Sequence, residues 1–174
     1  MRVHRAAVFA FVASTLAASP AAAQEARAVE VTPYVGVGSG GASPVGTAVT
    51  FPVTSRLGVE TDVAYRRAEG GINALSTNAS LVVFLPRIGQ STPYAAAGIG
   101  LAQYGAPVFS ASGGAPIGTV SRLAMTMNAG GGLSTPMNRK VGSRTDVRWF
   151  KSFGTQGSEQ FRVAQGISFG AGKR

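Results

Sequence analysis

A chain of 174 residues with no cysteine and 16 Lys/Arg against 7 Asp/Glu can hold neither a disulfide framework nor a lipid-modified cysteine. Its mean hydropathy of +0.18 is high for a water-soluble chain, yet no stretch after Leu16 is apolar for ~18 residues, which excludes a transmembrane helix. The net charge of +9 does not point to nucleic acid, because no Lys/Arg cluster with interleaved aromatics occurs.

The first element is an export signal. Met1-Arg2-Val3-His4-Arg5 opens on basic residues, Ala6 to Ala18 form an apolar run, and Ala21 and Ala23 frame an A-x-A cleavage site. The run of 13 residues is too short for a membrane anchor, which needs ~20. Residues 1–23 are therefore expected to be a cleaved signal peptide and 24–174 a single domain. That domain retains 14 Lys/Arg and 7 Asp/Glu, net +7, and loses the only histidine, His4.

Eight segments of alternating apolar and small or polar residues follow, each the pattern of a half-buried strand. The first, 29–38, sets Val29, Val31, Val35 and Val37 against Glu30, Thr32, Tyr34 and Gly36. The second, 45–53, groups Val45, Val49, Phe51 and Val53. In the third, 56–66, Leu57, Val59, Val63 and Tyr65 oppose Glu60, Asp62, Ala64 and Arg66. A slip of one residue there would turn two carboxylates outward, so its register is fixed. The fourth, 74–85, sets Leu75, Ala79, Leu81, Val83 and Leu85 against Ser76, Asn78 and Ser80; the fifth, 94–104, has ambiguous faces. Segments 122–133, 141–151 and 160–170 complete the set, with Arg122, Arg144, Asp146, Arg148 and Arg162 opposite their apolar rows. Glycine and proline punctuate the segment edges, and no helical spacing with caps is evident.

An even number of strands lets an antiparallel meander close with both ends on one side. The links after odd strands, at 39–44, 67–73, 105–121 and 152–159, include the longest and are expected outside the cell. Those at 54–55, 86–93 and 134–140 are expected as periplasmic turns.

The succession TPYVGVG, LGVETDVAYR, TPYAAAGIGLAQYG and VGSRTDVRWFKSFG resembles the small eight-stranded outer-membrane β-barrel family of the OmpA/OmpX type. The similarity covers essentially all of the chain after the signal, and its order and number of segments carry the weight. It implies an all-β, eight-stranded antiparallel up-and-down transmembrane barrel in the outer membrane of a Gram-negative cell. It also implies assembly by the outer-membrane machinery, contact with outer-membrane lipid and lipopolysaccharide, and a monomer. Members of this family typically end on an aromatic residue read during assembly; here Phe169 is followed by five residues, which implies a displaced or weakened signal.

An eight-stranded barrel is just wide enough for its side chains to fill. Glu30, Glu60, Asp62, Arg66, Arg122, Arg144, Asp146, Arg148 and Arg162 are therefore expected in a narrow lumen as a paired charge network, since an unpaired charge there costs several kcal/mol. Inward Gly98, Gly100, Gly130 and Gly132 instead suit a narrow ion path, which is the alternative reading. Catalysis is not expected: a serine nucleophile needs a base near neutral pKa, and the domain has no histidine. The enzymatic barrels of this size that the resemblance brings in, lipid A acyltransferases and deacylases, are built around such a histidine. No metal or cofactor is expected without Cys, His or a calcium loop. GVGSGG at 36–41 reads as a surface turn rather than a phosphate loop. The aromatics Tyr34, Phe51, Tyr65, Phe84, Tyr94, Tyr104, Trp149, Phe150, Phe161 and Phe169 are read as girdles at the two membrane interfaces. Gln165 is a misfit on the apolar face, either a bulge or an interfacial position near the periplasm.

The expected role is non-enzymatic, structural or in surface contact, with the apolar 105–121 loop as contact surface and a passive pore as the alternative. A second alternative, a soluble secreted lipocalin-like barrel around an apolar ligand, inverts the faces, with Leu57, Val59, Val63 and Tyr65 inside.

Overall fold

The computed structural model describes residues 28–67, 72–110, 116–153 and 158–171, so the cleavage site expected at Ala21 and Ala23 lies outside the described residues. Eight strands follow one another: β1 (Val29–Gly38), β2 (Ser43–Pro52), β3 (Leu57–Arg67), β4 (Asn73–Phe84), β5 (Thr92–Phe109), β6 (Pro116–Pro136), β7 (Val141–Phe153) and β8 (Glu159–Ala171). Each pairs antiparallel with its sequence neighbour, and β1 closes on β8 from Val29↔Ala171 to Gly38↔Arg162. Closure removes every sheet edge.

The barrel has two unlike ends. The terminal end carries Val29, Ala171 and the links after β2, β4 and β6; the loop end carries the other four links. Short polar side chains tighten two terminal-end turns. Thr54 Oγ1 accepts the amides of Arg56 at 3.2 Å and Leu57 at 2.9 Å, and Asn138 Oδ1 accepts those of Lys140 and Val141, both at 2.8 Å.

One parity governs both faces. Residues directly opposite each other in a sheet point to the same side, and in each strand pair even numbers face even numbers, as in Glu60↔Ser80, Asn78↔Gly100 and Asp146↔Ala164. Every buried residue with a side chain, from Thr32 to Ser168, is accordingly even-numbered. The odd rows carry exposed Val59, Leu81, Ile99, Leu123 and Phe161. This assigns the faces of the fifth segment, Ala95, Ala97, Ile99 and Leu101 outward, and it overturns the lipocalin-like inversion: Glu60 and Asp62 are each 1% exposed while Val59 is 44% exposed.

Three further expectations are corrected. The 105–121 link is strand on both of its described sides, because β5 and β6 continue to Phe109↔Pro116, past the last rungs shared with β4 (Asn73↔Gly105) and β7 (Met125↔Phe153). A register shift between Val108 and Phe109 accompanies the break in alternation. The aromatic girdle keeps only part of its members: Tyr34, Phe84, Tyr94, Tyr104 and Phe150 sit on the inward, even rows, and the first three are buried. Gln165 marks no bulge. It stays in register opposite Thr145, accepts that hydroxyl at 2.6 Å and donates to Ser143 Oγ at 3.2 Å, so its amide is satisfied on the outer wall.

Candidate functional site: a charged layer and a recess in the lumen

The middle of the lumen is crossed by three carboxylates and three guanidinium groups. β3 contributes Glu60 and Asp62, β7 contributes Arg144, Asp146 and Arg148, and β8 contributes Arg162, all at least nine-tenths buried. Glu60 accepts Arg144 Nη1 at 2.6 Å and pairs with Arg148 through its other oxygen. Arg148 Nε donates to Asp146 at 3.1 Å, and Arg162 bridges Asp146 at 3.3 Å and Asp62 at 3.2 Å. The six charges sum to zero. Burying an ion is expensive unless its partner and its remaining hydrogen-bond positions are supplied together, and neutral side chains supply them here except at Arg162 Nε.

Those neutral groups come from every side of the barrel. Thr50 donates to Glu60 at 2.8 Å, Tyr94 donates to Asp146 at 2.7 Å, Tyr34 donates to Asp62 at 2.5 Å, and Asn78 Nδ2 reaches Asp62 at 3.2 Å. The tyrosine rings also lie under the arginines, Arg144 4.3 Å from the Tyr94 centroid and Arg162 4.6 Å from that of Tyr34, where ring quadrupole and cation attract. Toward the terminal end the lumen closes on Val82, Phe84, Tyr94 and Ala96, with the Phe84 and Tyr94 rings edge to face at 6.5 Å.

The inward glycines seat side chains of neighbouring strands. A β-carbon added at Gly132 would lie 2.6 Å from the Tyr94 hydroxyl, and one at Gly46 would lie 2.6 Å from that of Tyr34. Small residues on one strand thus receive the large inward residue of another, which is how a narrow barrel fills.

The nine expected lumen charges divide accordingly. Six form the layer just described. Glu30 faces inward at the terminal end, half-buried, with no ion pair among the described residues. Arg122 has the inward parity but stands where β6 has risen above the last β7 rung, and is exposed. Arg66 belongs to a separate feature, a small recess open at the loop end. Its floor includes Asn78, Thr126 and Arg162, and its walls include Arg66, Tyr104, Phe150, Ser152 and Gln160. Arg66 donates to Gln160 Oε1 and lies 5.5 Å from the Tyr104 centroid, whose hydroxyl bonds to Ser152 at 2.6 Å. The inward tyrosines were missed as network members, although each stands on the same alternate row as the charges. Among the described residues no helix is long and apolar enough to cross a membrane, and no cluster of acidic or histidine side chains could hold a metal ion.

A closed sheet that is apolar outside and charged inside defines a transmembrane β-barrel. Solved structures share the fold. Neisserial surface protein A, 12% identical, superposes with a TM-score of 0.65 over 82% of this chain and 96% of its own. The N-terminal barrel domain of Pseudomonas aeruginosa OprF, 16% identical, gives 0.59 over 84% and 98%. The outer-membrane enzyme PagL, 18% identical, gives 0.52 over 82% and 99%. No protein-family model matches the sequence, and no curated protein sequence matches it. The eight-stranded barrel is therefore the fold of small outer-membrane proteins, a class that includes both non-enzymes and an enzyme.

Proposed function

We propose that this protein is a closed, non-enzymatic outer-membrane barrel that acts structurally and through its outer-facing rim, after export on a signal peptide at 1–23. The observation that carries this reading is the neutral layer of Glu60, Asp62, Asp146, Arg144, Arg148 and Arg162 spanning the lumen. A conducting pore needs a continuous wet path with exchangeable coordination, whereas these ions already have their partners. The lack of histidine after His4 supports a non-catalytic role, because the acid–base partner of a serine nucleophile has no candidate.

In this reading the terminal end faces the periplasm. Arg56, Arg87, Arg139 and Lys140 lie in its turns, exposed, where they suit anionic lipid head groups. Outward Arg67 at the loop end suits lipopolysaccharide phosphates, and the assembly machinery reads a displaced aromatic, Phe169, which stands on the outer face two residues before the end of β8. The refolded full chain in a planar bilayer is expected to show no steady conductance. Steady openings that persist in purified single-channel recordings would establish the pore instead.

A further inference from the structure

The outer wall carries a polar cluster at a depth where lipid offers no hydrogen bonds. The outward row of β8 reads Phe161, Val163, Gln165, Ile167 and Phe169, so Gln165 stands midway between two exposed aromatics. Aromatic residues flank the apolar band of a barrel at both interfaces, which puts the Gln165 amide in the hydrocarbon. The neighbouring strands agree on that depth: Trp149 lies opposite Phe161, Val141 opposite Phe169, and Val35 of β1 opposite Gln165. A side-chain amide has two N–H donors and two acceptor positions. Within one barrel Nε2 donates to Ser143 Oγ at 3.2 Å and Oε1 accepts the Thr145 hydroxyl at 2.6 Å. Among the described residues one donor and one acceptor position therefore remain, on an exposed side chain in a medium where a polar group without a hydrogen bond is costly.

We propose that Gln165 is the centre of an interface between two copies of this chain in the membrane. The remaining donor and acceptor complement each other, so a second amide related by a two-fold axis completes both, each Nε2 donating to the other Oε1. An axis along the membrane normal brings the same patch of two upright barrels together, as a two-fold interface requires. Hydrogen bonds of this kind hold spanning segments together in lipid, where apolar contact alone does not favour association. The surroundings suit a close approach, because Val35, Val147 and Val163 flank the amide, exposed, and their short side chains do not hold two walls apart. Lipid ester groups lie at the interfaces, away from this depth, and a self-complementary group selects a second copy over an unlike partner. The pair departs from the monomer that the family resemblance implies. Its population follows mass action, so added lipid separates the copies and the stability of the single barrel is a separate quantity.

The chain has no cysteine, so one introduced thiol forms a disulfide only with a second copy. The full chain is refolded in phosphatidylcholine vesicles as Val35→Cys, beside Gln165, and as Leu81→Cys, exposed on β4, four strands from β8 round the barrel. Oxidation by copper phenanthroline is expected to cross-link Val35→Cys at least about fivefold faster than Leu81→Cys. Gln165→Leu added to the Val35→Cys chain is expected to lower the rate to that of the Leu81→Cys chain, while heat-modifiable gel migration stays unchanged. A second measurement leaves the patch intact: energy transfer between donor- and acceptor-labelled Leu81→Cys chains is expected above the level of random mixing, and at that level once Gln165→Leu is added. Equal cross-linking of the two reporters, or folded Gln165→Leu chains that cross-link and transfer energy as the parent does, would overturn the interface.

Discussion

The charged layer and the recess above it use the same residue type in opposite ways. Arg144, Arg148 and Arg162 are each held by a carboxylate and by a neutral acceptor on another strand, whereas among the described residues Arg66 meets Gln160 and the face of Tyr104. The lesson is that a lumen charge stabilises the barrel when its partner is buried with it, and contributes little when it faces an open cavity. Glu60→Gln breaks this contrast most sharply, because it leaves Arg144 and Arg148 short of a charge in a dry layer. It is expected to cost about 3–5 kcal/mol, read as a lower urea midpoint of the barrel refolded in vesicles. Arg66→Gln in the same assay is expected to cost less than about 1 kcal/mol, since that guanidinium is partly solvated. Equal losses would mean that the recess is as structural as the layer.

A second contrast sets the barrel against the protruding β5–β6 hairpin, through two glycines of the same strand. A β-carbon at Gly132 runs into the Thr145 carbonyl and lies 2.6 Å from the Tyr94 hydroxyl, while one at Gly118 meets nothing within 4 Å. Gly132→Val is therefore expected to overpack the lumen and cost about 1–3 kcal/mol, and Gly118→Val to stay within about 0.5 kcal/mol. Thermal loss of the fast-migrating folded band reads both. A Gly132→Val barrel as stable as the parent would show that the β7 backbone at Thr145 gives way as readily as Tyr94.

These contrasts also mark how far the sequence could be read. Period-two alternation sufficed for strand number, order and all faces but those of the fifth segment, and in β3 a one-residue slip would have carried Glu60 and Asp62 into lipid. It gives the face of a residue but not its height: Glu30, Arg66 and Arg122 have the same parity as Glu60 and Arg148, yet stand above or below the layer where they meet water. The hairpin tip was read as a loop because Gly105, Pro107 and the paired glycines at 113–114 look like punctuation, while strand pairing runs on to Phe109. The inward tyrosines were legible in principle, since Tyr34 sits between Thr32 and Gly36 on the polar row. Their roles depend on partners 28 and 52 residues away, Asp62 and Asp146, which no local pattern reports.

A small expected effect concerns the outer wall, where Gln165, Thr145 and Ser143 satisfy one another against lipid. A buried hydrogen bond broken on one side leaves its partner unpaid, whereas removal of both partners can be neutral or favourable. Gln165→Leu alone gains apolar surface but strands the Thr145 hydroxyl, so its net effect on vesicle stability is expected within about 1 kcal/mol of zero. The double variant Gln165→Leu with Thr145→Val removes both ends of the 2.6 Å bond and is expected to exceed the parent by about 1 kcal/mol. Ser143, third residue of β7 at the terminal end, stays within reach of head groups and water. A double variant less stable than the single would mean that this polar cluster contributes to the wall in its own right, and that the outer face is more than a lipid-facing surface at β7 and β8.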